Sequence, residues 1–291
     1  MHRGLFFLML LLAAAGVWAY QLAYKDPANA VRWYRTDITL DGKFTTNPGK
    51  QTMRMAGSIA FTSRETVIAV DADGTATILS EITDGTLTMK VDDQEMTQSL
   101  TDYRAIYKRA PSGKIVAMKI EHESEGNVTS LQTMGFGNHW RMISGLGQGF
   151  EFPAKDLKPG AKWRSTGAAG QAEMTVNNIL RTPKTADGVR YLIIAGDTSV
   201  KIPDIDLVLP VDDQAVVARQ TSALKAKSST LFDSVKGEFI ETDFTGEMKL
   251  SMTVPGSEEP VTVNGTLKLS GSTEKISAPE EPARAGEPPA E

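Results

Sequence analysis

The sequence predicts a mainly β protein. We expect strongly curved antiparallel sheets that form a half-barrel or two lobes, with one or two helices packed on the concave side. Three observations predict this fold. Apolar and polar residues alternate, with many β-branched side chains, as in half-buried strands. Gly, Asp and Asn interrupt the alternation at short intervals, as hairpin turns do. Between 126 and 149, apolar residues recur every three or four positions, which indicates a helix.

The first half of the chain is predicted to be a meander of strands. Ala72-Asp73-Gly74, Asp84-Gly85 and Pro111-Ser112-Gly113 are the expected turns, because Gly adopts a positive φ without a Cβ clash. A bend is expected at Asp41-Gly42. The expected strands are 35–44, 52–63, 65–70, 75–83, 86–91, 103–108 and 114–121.

The second half is predicted to contain more strands after a reversal at Pro159-Gly160, a pair suited to a type II turn. The segment 212–227 is open to two interpretations, since its composition favours a helix and its neighbours favour a strand. The other expected strands begin at Lys162-Trp163 and continue at 171–180, 189–195, 198–202, 228–232, 238–244, 248–254 and 261–269.

The first nineteen residues have the features of an export signal: a basic start, an apolar run over 5–17 and the sequence Val17-Trp18-Ala19. A bilayer span needs about 20 residues, so the alternative is an uncleaved anchor that recruits residues 18–23. The segment therefore predicts an exported protein, periplasmic or extracellular, with the signal cleaved or retained as an anchor.

The rest of the chain divides into three predicted parts. A linker covers 20–30, and one β-rich domain covers 31–276, with halves 31–125 and 150–276 joined by a helical crossover at 126–149. The tail 277–291 is rich in Pro and Glu without a large apolar side chain, so we expect it to be disordered. Without cysteine, the domain depends on its apolar core. The net charge of −5 argues against nucleic acid as a partner.

No motif predicts catalysis, a metal or a cofactor. Val70-Asp71-Ala72-Asp73-Gly74 resembles the start of a calcium loop, but the twelfth position would be Ile82, so we interpret it as a hairpin turn. His122 lies between two Glu at a strand end, and His139 lies beside Trp140; neither has a placed nucleophile nearby in sequence. A hydrolase with a carboxylate pair, such as Glu121 with Glu123, is the least favoured function.

An aromatic and methionine-rich group around the crossover is the candidate site. One interpretation is ordinary core, in which a helix plugs the open side of a curved sheet. The other is a cavity for an apolar ligand such as an acyl chain, since Met adapts to varied ligand shapes. The candidate ligand-binding residues are Met134, Phe136, Trp140, Met142, Phe150 and Trp163, together with the neighbouring Phe152.

Short motifs in this region carry a resemblance to known proteins. Phe150-Glu151-Phe152-Pro153, and then Pro159-Gly160 with Trp163, resemble secreted bacterial proteins that have a strand, a helix, "FP" and "PGxxW" in this order. Leu231-Phe232-Asp233 with Gly237 is similar to their later hairpin. These proteins broadly resemble the periplasmic lipoprotein-carrier type (LolA/LppX-like), which implies a half-barrel with helices in its concave face and a lipid or lipoprotein ligand. No binding residue is carried over, because no ligand motif matches.

Two functions follow as hypotheses. The first is a non-catalytic envelope protein that binds a hydrophobic ligand or a lipidated partner in a half-barrel cavity. The second is a structural or interaction module of the envelope, with a fully packed core and an envelope protein as its partner.

Overall fold

The computed structural model describes residues 19–101, 103–122, 151–169, 172–186, 188–211, 214–254 and 260–279. About 75% of these residues lie in β-strands, and no described residue lies in a helix. The helices expected on the concave side are therefore not supported within this part of the chain, and the crossover 126–149 lies outside it. The described residues include no helix of the length and apolarity needed to cross a bilayer.

The thirteen strands are long and antiparallel. Their bounds are β1 (Val31–Asn47), β2 (Thr52–Val70), β3 (Ala76–Val91), β4 (Gln94–Ser99), β5 (Tyr103–Arg109), β6 (Ile115–His122), β7 (Lys162–Ala169), β8 (Ala172–Leu180), β9 (Lys184–Ala186), β10 (Val189–Val211), β11 (Gln214–Asp233), β12 (Glu238–Val254) and β13 (Val261–Ile276).

All thirteen strands join one open sheet in the order β6-β5-β3-β2-β1-β13-β12-β11-β10-β8-β7, with β4 paired to β3 and β9 to β10. Strand β1 pairs with β2 on one side and with β13 on the other. The first and last strands of the chain are therefore neighbours in the middle of the sheet. Of the two predicted arrangements, the structure is one continuous sheet and not two lobes.

Strict alternation gives the sheet one apolar face and one polar face. In β1, Tyr34, Ile38 and Leu40 are buried, whereas the intervening Arg35 and Thr39 are exposed. Directly paired residues lie on the same face, so the register carries this division from strand to strand. We call the face that bears Ile38 and Leu40 the inner face and the opposite one the outer face.

The sheet is strongly curved, as the sequence predicted. Eleven strands at a spacing of about 4.8 Å would separate the edges of a flat sheet by roughly 48 Å. Instead, the Phe152 amide donates to the Ser112 carbonyl in the β5–β6 turn at 2.6 Å. The Phe152 ring lies 6.4 Å from the ring of Trp163 in β7. Phe152 therefore contacts both edges of the sheet at this end, the β5–β6 turn on one side and β7 on the other.

Two coil segments, 19–30 and 151–161, cross that end of the curved sheet, which we call the plugged end. They pair with each other through Tyr20 and Leu157. The Tyr24 amide donates to the Pro111 carbonyl at 2.8 Å, and the Lys25 amide donates to the Gly237 carbonyl at 3.0 Å. The first segment therefore ties the β5–β6 turn to the β11–β12 turn across the sheet.

The inner face contains two main apolar clusters, separated by a row of buried threonines. The cluster at the plugged end contains Leu22, Tyr24, Tyr34, Phe152, Leu157, Val176, Leu180, Leu192, Ile194, Phe232 and Phe239. The second cluster centres on Ile38, Leu40, Ile59, Leu224, Phe244, Met248, Leu267 and Leu269. The threonine row satisfies its hydroxyls in pairs, Thr36 with Thr273 at 3.0 Å and Thr230 with Thr242 at 2.9 Å.

Three of the expected turns are confirmed, and one was wrong. Gly74, Gly113 and Gly160 have positive φ of 83°, 89° and 89° and occupy turns. In contrast, Asp84-Gly85 lies inside β3 beside a register shift opposite Thr62 and Ser63. Asp41-Gly42 lies inside a strand, β1, as predicted. The segment left open between helix and strand is strand over 214–227, because β11 pairs with both β10 and β12.

Glycines within the strands make room for aromatic rings. Gly265 lies beneath the Phe44 ring, which a Cβ at this position would overlap. At Gly271, a Cβ would contact the Asp37 carbonyl oxygen and would lie 2.9 Å from Cζ of Phe244. These glycines therefore allow rings from adjacent strands to cover the sheet.

We expect Gly271→Ala to lower the free energy of unfolding by about 2 kcal/mol, because its Cβ would press on the β1 backbone, which cannot move without disturbing the β1–β13 pairing. The shift of the urea midpoint measures the change. The control is Ser270→Ala, one residue earlier on the outer face, where a change within about 0.5 kcal/mol is expected. Equal effects of the two substitutions would contradict the packing argument.

Candidate functional site

The inner face beyond the threonine row is mainly apolar, although Thr198, Gln220 and Ser222 of β10 and β11 also lie on it. Its clearest part is one row of residues that pair directly from strand to strand. Gly42 is the smallest member, and the row contains no polar side chain. From β3 to β8 the members are Val91, Met55, Gly42, Leu267, Met248, Leu224, Val200 and Met174.

Methionine is concentrated on this surface. The register places Met53, Met55, Met89, Met96, Met174, Met248 and Met252 on the inner face. We call this set the methionine wall. The sequence analysis missed it because it looked for apolar residues close together along the chain. Its signal was the even spacing of Met53 and Met55, two residues apart, and of Met248 and Met252, four apart, which puts each pair on one face of a strand.

On β1, β3 and β4, solvent exposure of the inner face increases away from the plugged end. Leu40 is 1% exposed, and Phe44, four residues further along β1, is half-buried. Val91 and Met96, at the far end of β3 and in β4, are each 38% exposed. We call this far end the open end. The apolar surface therefore reaches solvent at the open end along these strands, whereas Gln220 and Ser222 of β11 are only 4% and 7% exposed there.

Of the predicted site residues, Met134, Phe136, Trp140, Met142 and Phe150 lie outside the described residues. Trp163 lies on the inner side of β7 at the plugged end, partly buried, and its Nε1 donates to the Glu151 carbonyl at 2.8 Å. Phe152 is 3% exposed and packs between Tyr24, Phe232 and Trp163. Both residues thus belong to the plugged end and not to the methionine wall.

A buried ionic network secures the plugged end. Asp26, from the coil 19–30, accepts from Nη1 of Arg32 at 2.8 Å and from Nε and Nη2 of Arg109 at 3.0 and 2.8 Å. Arg32 also donates to Glu238 at 3.1 Å, and Lys275 donates to Glu238 at 2.7 Å. The network links β1, β5, β12 and β13 to the coil, so it positions that coil across the sheet.

The arginines determine the charge state of Asp26. Burial alone would raise its pKa, but the hydrogen bond and charge of Arg109, followed by those of Arg32, outweigh burial and hold the pKa below its ordinary value of 3.8. Asp26 is therefore a carboxylate throughout the physiological pH range, and it neutralises two guanidinium groups that would otherwise repel each other.

Glu65 lies beside this network and is fully buried. The Tyr107 hydroxyl donates to its Oε1 at 2.6 Å. Burial, with the Glu65 charge adding to it, raises the pKa of Tyr107 well above its usual value, so the phenol keeps its proton. Within the described part of the chain, Glu65 Oε2 has no hydrogen-bond partner. Asp26 and Glu238, in contrast, are paired with arginine and lysine side chains. These two carboxylates therefore act as ion-pair acceptors in the structure.

The outer face has open, polar depressions. One of about 740 Å³ lies across β1, β8 and β10–β13. Its lining residues include Asp41, Lys225, Glu247 and Lys268. A second, of about 440 Å³, adjoins it across β1, β2, β12 and β13.

The calcium-like motif forms a turn, as predicted. Gly74 donates to the Asp71 carbonyl at 2.9 Å, and the Thr75 amide donates to the Asp73 carboxylate at 2.9 Å. Asp71 also pairs with Lys108 at 3.2 Å. In the described ranges, no group of three or more His, Cys, Asp or Glu residues is arranged to hold a metal ion.

Comparisons with known proteins do not assign a family. No family model matches the chain, and no curated protein matches it. The crystal structure of OccK5 (OpdH) from Pseudomonas aeruginosa is 8% identical with a TM-score of 0.24, over 84% of this chain and 99% of that one. A DUF1329 family protein from Desulfovibrio piger is 7% identical with a TM-score of 0.18, over 86% and 88%. Likeness at this level carries no argument about fold or function, and the lipoprotein-carrier resemblance stays a prediction.

We expect Asp26→Asn to lower the free energy of unfolding by about 3–5 kcal/mol, because it removes the buried carboxylate that pairs with Arg109 and leaves Arg32 with Glu238 alone. A lowered folded pKa means that the stabilisation by Asp26 is complete above the ordinary value of 3.8 and is lost as the pH falls from there through the folded value. Urea midpoints measured across this window should therefore fall more steeply for the natural protein than for the variant.

The matched control is Asp37→Asn, which removes an ion pair with Arg35 that is exposed on the outer face. Such pairs contribute less than about 1 kcal/mol. If Asp26→Asn cost no more than this control, the network would not be what holds the coil 19–30 in place.

Proposed function

We propose that this chain is a non-catalytic protein of the cell envelope that binds a hydrophobic ligand, or the acyl chain of a lipidated partner, against the methionine wall. The observation that carries the proposal is the exposure gradient of the inner face on β1, β3 and β4, along which apolar surface reaches solvent at the open end. A monomer rarely exposes contiguous apolar surface without a use for it.

The composition of the wall favours an adaptable ligand. Met has three rotatable bonds and a polarizable sulfur, so it can conform to chains of different length and branching. Among the wall residues, Met53, Met174 and Met252 are half-buried, so their side chains have space to move.

An interaction module of the envelope is the second candidate. It is favoured by strand β6, which lies at the edge of the sheet and exposes Val116 and Met118. Edge strands with exposed apolar side chains can accept a strand from a partner. Crosslinking through a cysteine at position 116 would support this candidate if it captured one envelope protein reproducibly, and capture of none would count against it.

The ligand proposal is tested by the fluorescent apolar probe N-phenyl-1-naphthylamine. Met252→Glu places a charge on the inner face at the open end, so the affinity for the probe should fall at least about tenfold. Titration of probe fluorescence measures the dissociation constant, and native mass spectrometry after addition of a phospholipid checks for a bound adduct.

Thr253→Glu is the control, because the next residue of β12 points to the outer face and carries the same added charge. We expect its probe affinity to match the natural protein. Equal affinity of Met252→Glu and the natural protein, or a clean ligand-free mass after lipid addition, would overturn the proposal.

A further inference from the structure

The exposed connections at the plugged end have an unusual composition for a solvent-facing surface. They combine large apolar side chains with basic residues. Val235, at the tip of the β11–β12 turn, is 75% exposed, and it is followed by the exposed Lys236. Val31 and Ile68, at the ends of β1 and β2, are 52% and 49% exposed. The exposed basic residues of the same end are Lys25, Lys114, Lys155, Lys158, Arg181, Lys184 and Lys236.

The described connections of the plugged end have more basic than acidic exposed residues. Their exposed acidic residues are Asp71, Asp73 and Asp156, fewer than the basic ones. Among the described residues of the open end, Asp92, Asp93 and Glu95 are matched by the exposed Lys50, Arg54 and Lys90. The chain is acidic as a whole, with a net charge of −5, so the basic excess in the connections of the plugged end is local.

The chain also enters the fold at the plugged end. Tyr20 is fixed there by its pairing with Leu157, and Leu22 and Tyr24 are buried directly after it. The sequence before Ala19 contains the apolar run 5–17. An N-terminal segment inserted in a bilayer would therefore be joined without a spacer to the plugged end, which carries the exposed basic and apolar side chains.

We propose that the plugged end is a membrane-facing surface, which lies on a bilayer with anionic headgroups while the open end points away from it. Val235, Val31 and Ile68 enter the headgroup region, where apolar side chains gain by leaving water. The surrounding lysines bind the anionic headgroups, with each one strengthening binding roughly fivefold near such a surface. This inference does not depend on the ligand proposal, because it uses none of the inner-face residues.

The natural chain contains no cysteine, so single-cysteine variants can be labelled without altering any other position. The full chain, labelled with the fluorophore NBD at Val235→Cys, is reconstituted with vesicles of phosphatidylcholine and phosphatidylglycerol. We expect the emission to shift to the blue and to be quenched by nitroxide-labelled lipids. The same label at Val217→Cys, on β11 towards the open end, should emit as it does in water.

A charge-reversal variant separates contact by this surface from anchoring by the N-terminal segment. Lys114→Glu, Lys158→Glu and Lys236→Glu together should abolish the shift at position 235, whether or not the chain still floats with the vesicles. The matched control reverses Lys43, Lys90 and Lys249, which are exposed on the strands, and should leave the shift unchanged.

Three results would overturn the proposal. The first is a label at position 235 that stays water-like on vesicles. The second is an equal shift at positions 235 and 217. The third is an equal loss of the shift in both charge-reversal variants, which would indicate a non-specific charge effect. A shift that persists on purely zwitterionic vesicles would remove the role given to the lysines.

Discussion

A sheet with one apolar face must shield that face from water, and this requirement shapes the whole molecule. The chain meets it by curvature, so that the edge regions containing β6 and β7 approach each other at one end although nine strands lie between them in the sheet. Curvature of an open sheet needs something to hold the edges near each other. Here that role falls to the coils 19–30 and 151–161, which bond to turns on both sides. The buried ion pairs of Asp26 hold the first coil in position.

The plug and the methionine wall divide the inner face into a rigid and an adaptable part. At the plugged end, stacked rings such as Tyr34 on Phe239 at 4.5 Å fix the packing. Beyond the threonine row, methionines and glycines replace the rings on many strands. Flexible side chains are useful where the shape of an occupant varies, and rigid ones are useful where curvature must be maintained. Because these two regions follow one another along the strands, one end of the molecule is rigid and the other is adaptable.

Strand content, curvature and the glycine turns were predictable from the sequence, because alternation and positive-φ turns are local signals. Gly74, Gly113 and Gly160 are examples. Gly85 was misread as a turn because glycine also occurs inside strands, where a neighbouring side chain from another part of the fold leaves no room for a Cβ. The methionine wall was missed for a related cause: Met55, Met248 and Met174 meet through the register, which no local pattern shows. The predicted site around the crossover stays a prediction, apart from Trp163, which the structure places at the plugged end.

The adjacency of β1 and β13 sets the order in which this protein can mature. Trp33 pairs with Ile276, so the middle of the sheet cannot form until almost the whole polypeptide has been synthesised. Pairings that distant in sequence give a high contact order and slow folding. Until β13 pairs with it, one long edge of β1 has unpaired backbone groups that can bind wrong partners, a hazard that favours protection by a chaperone during folding.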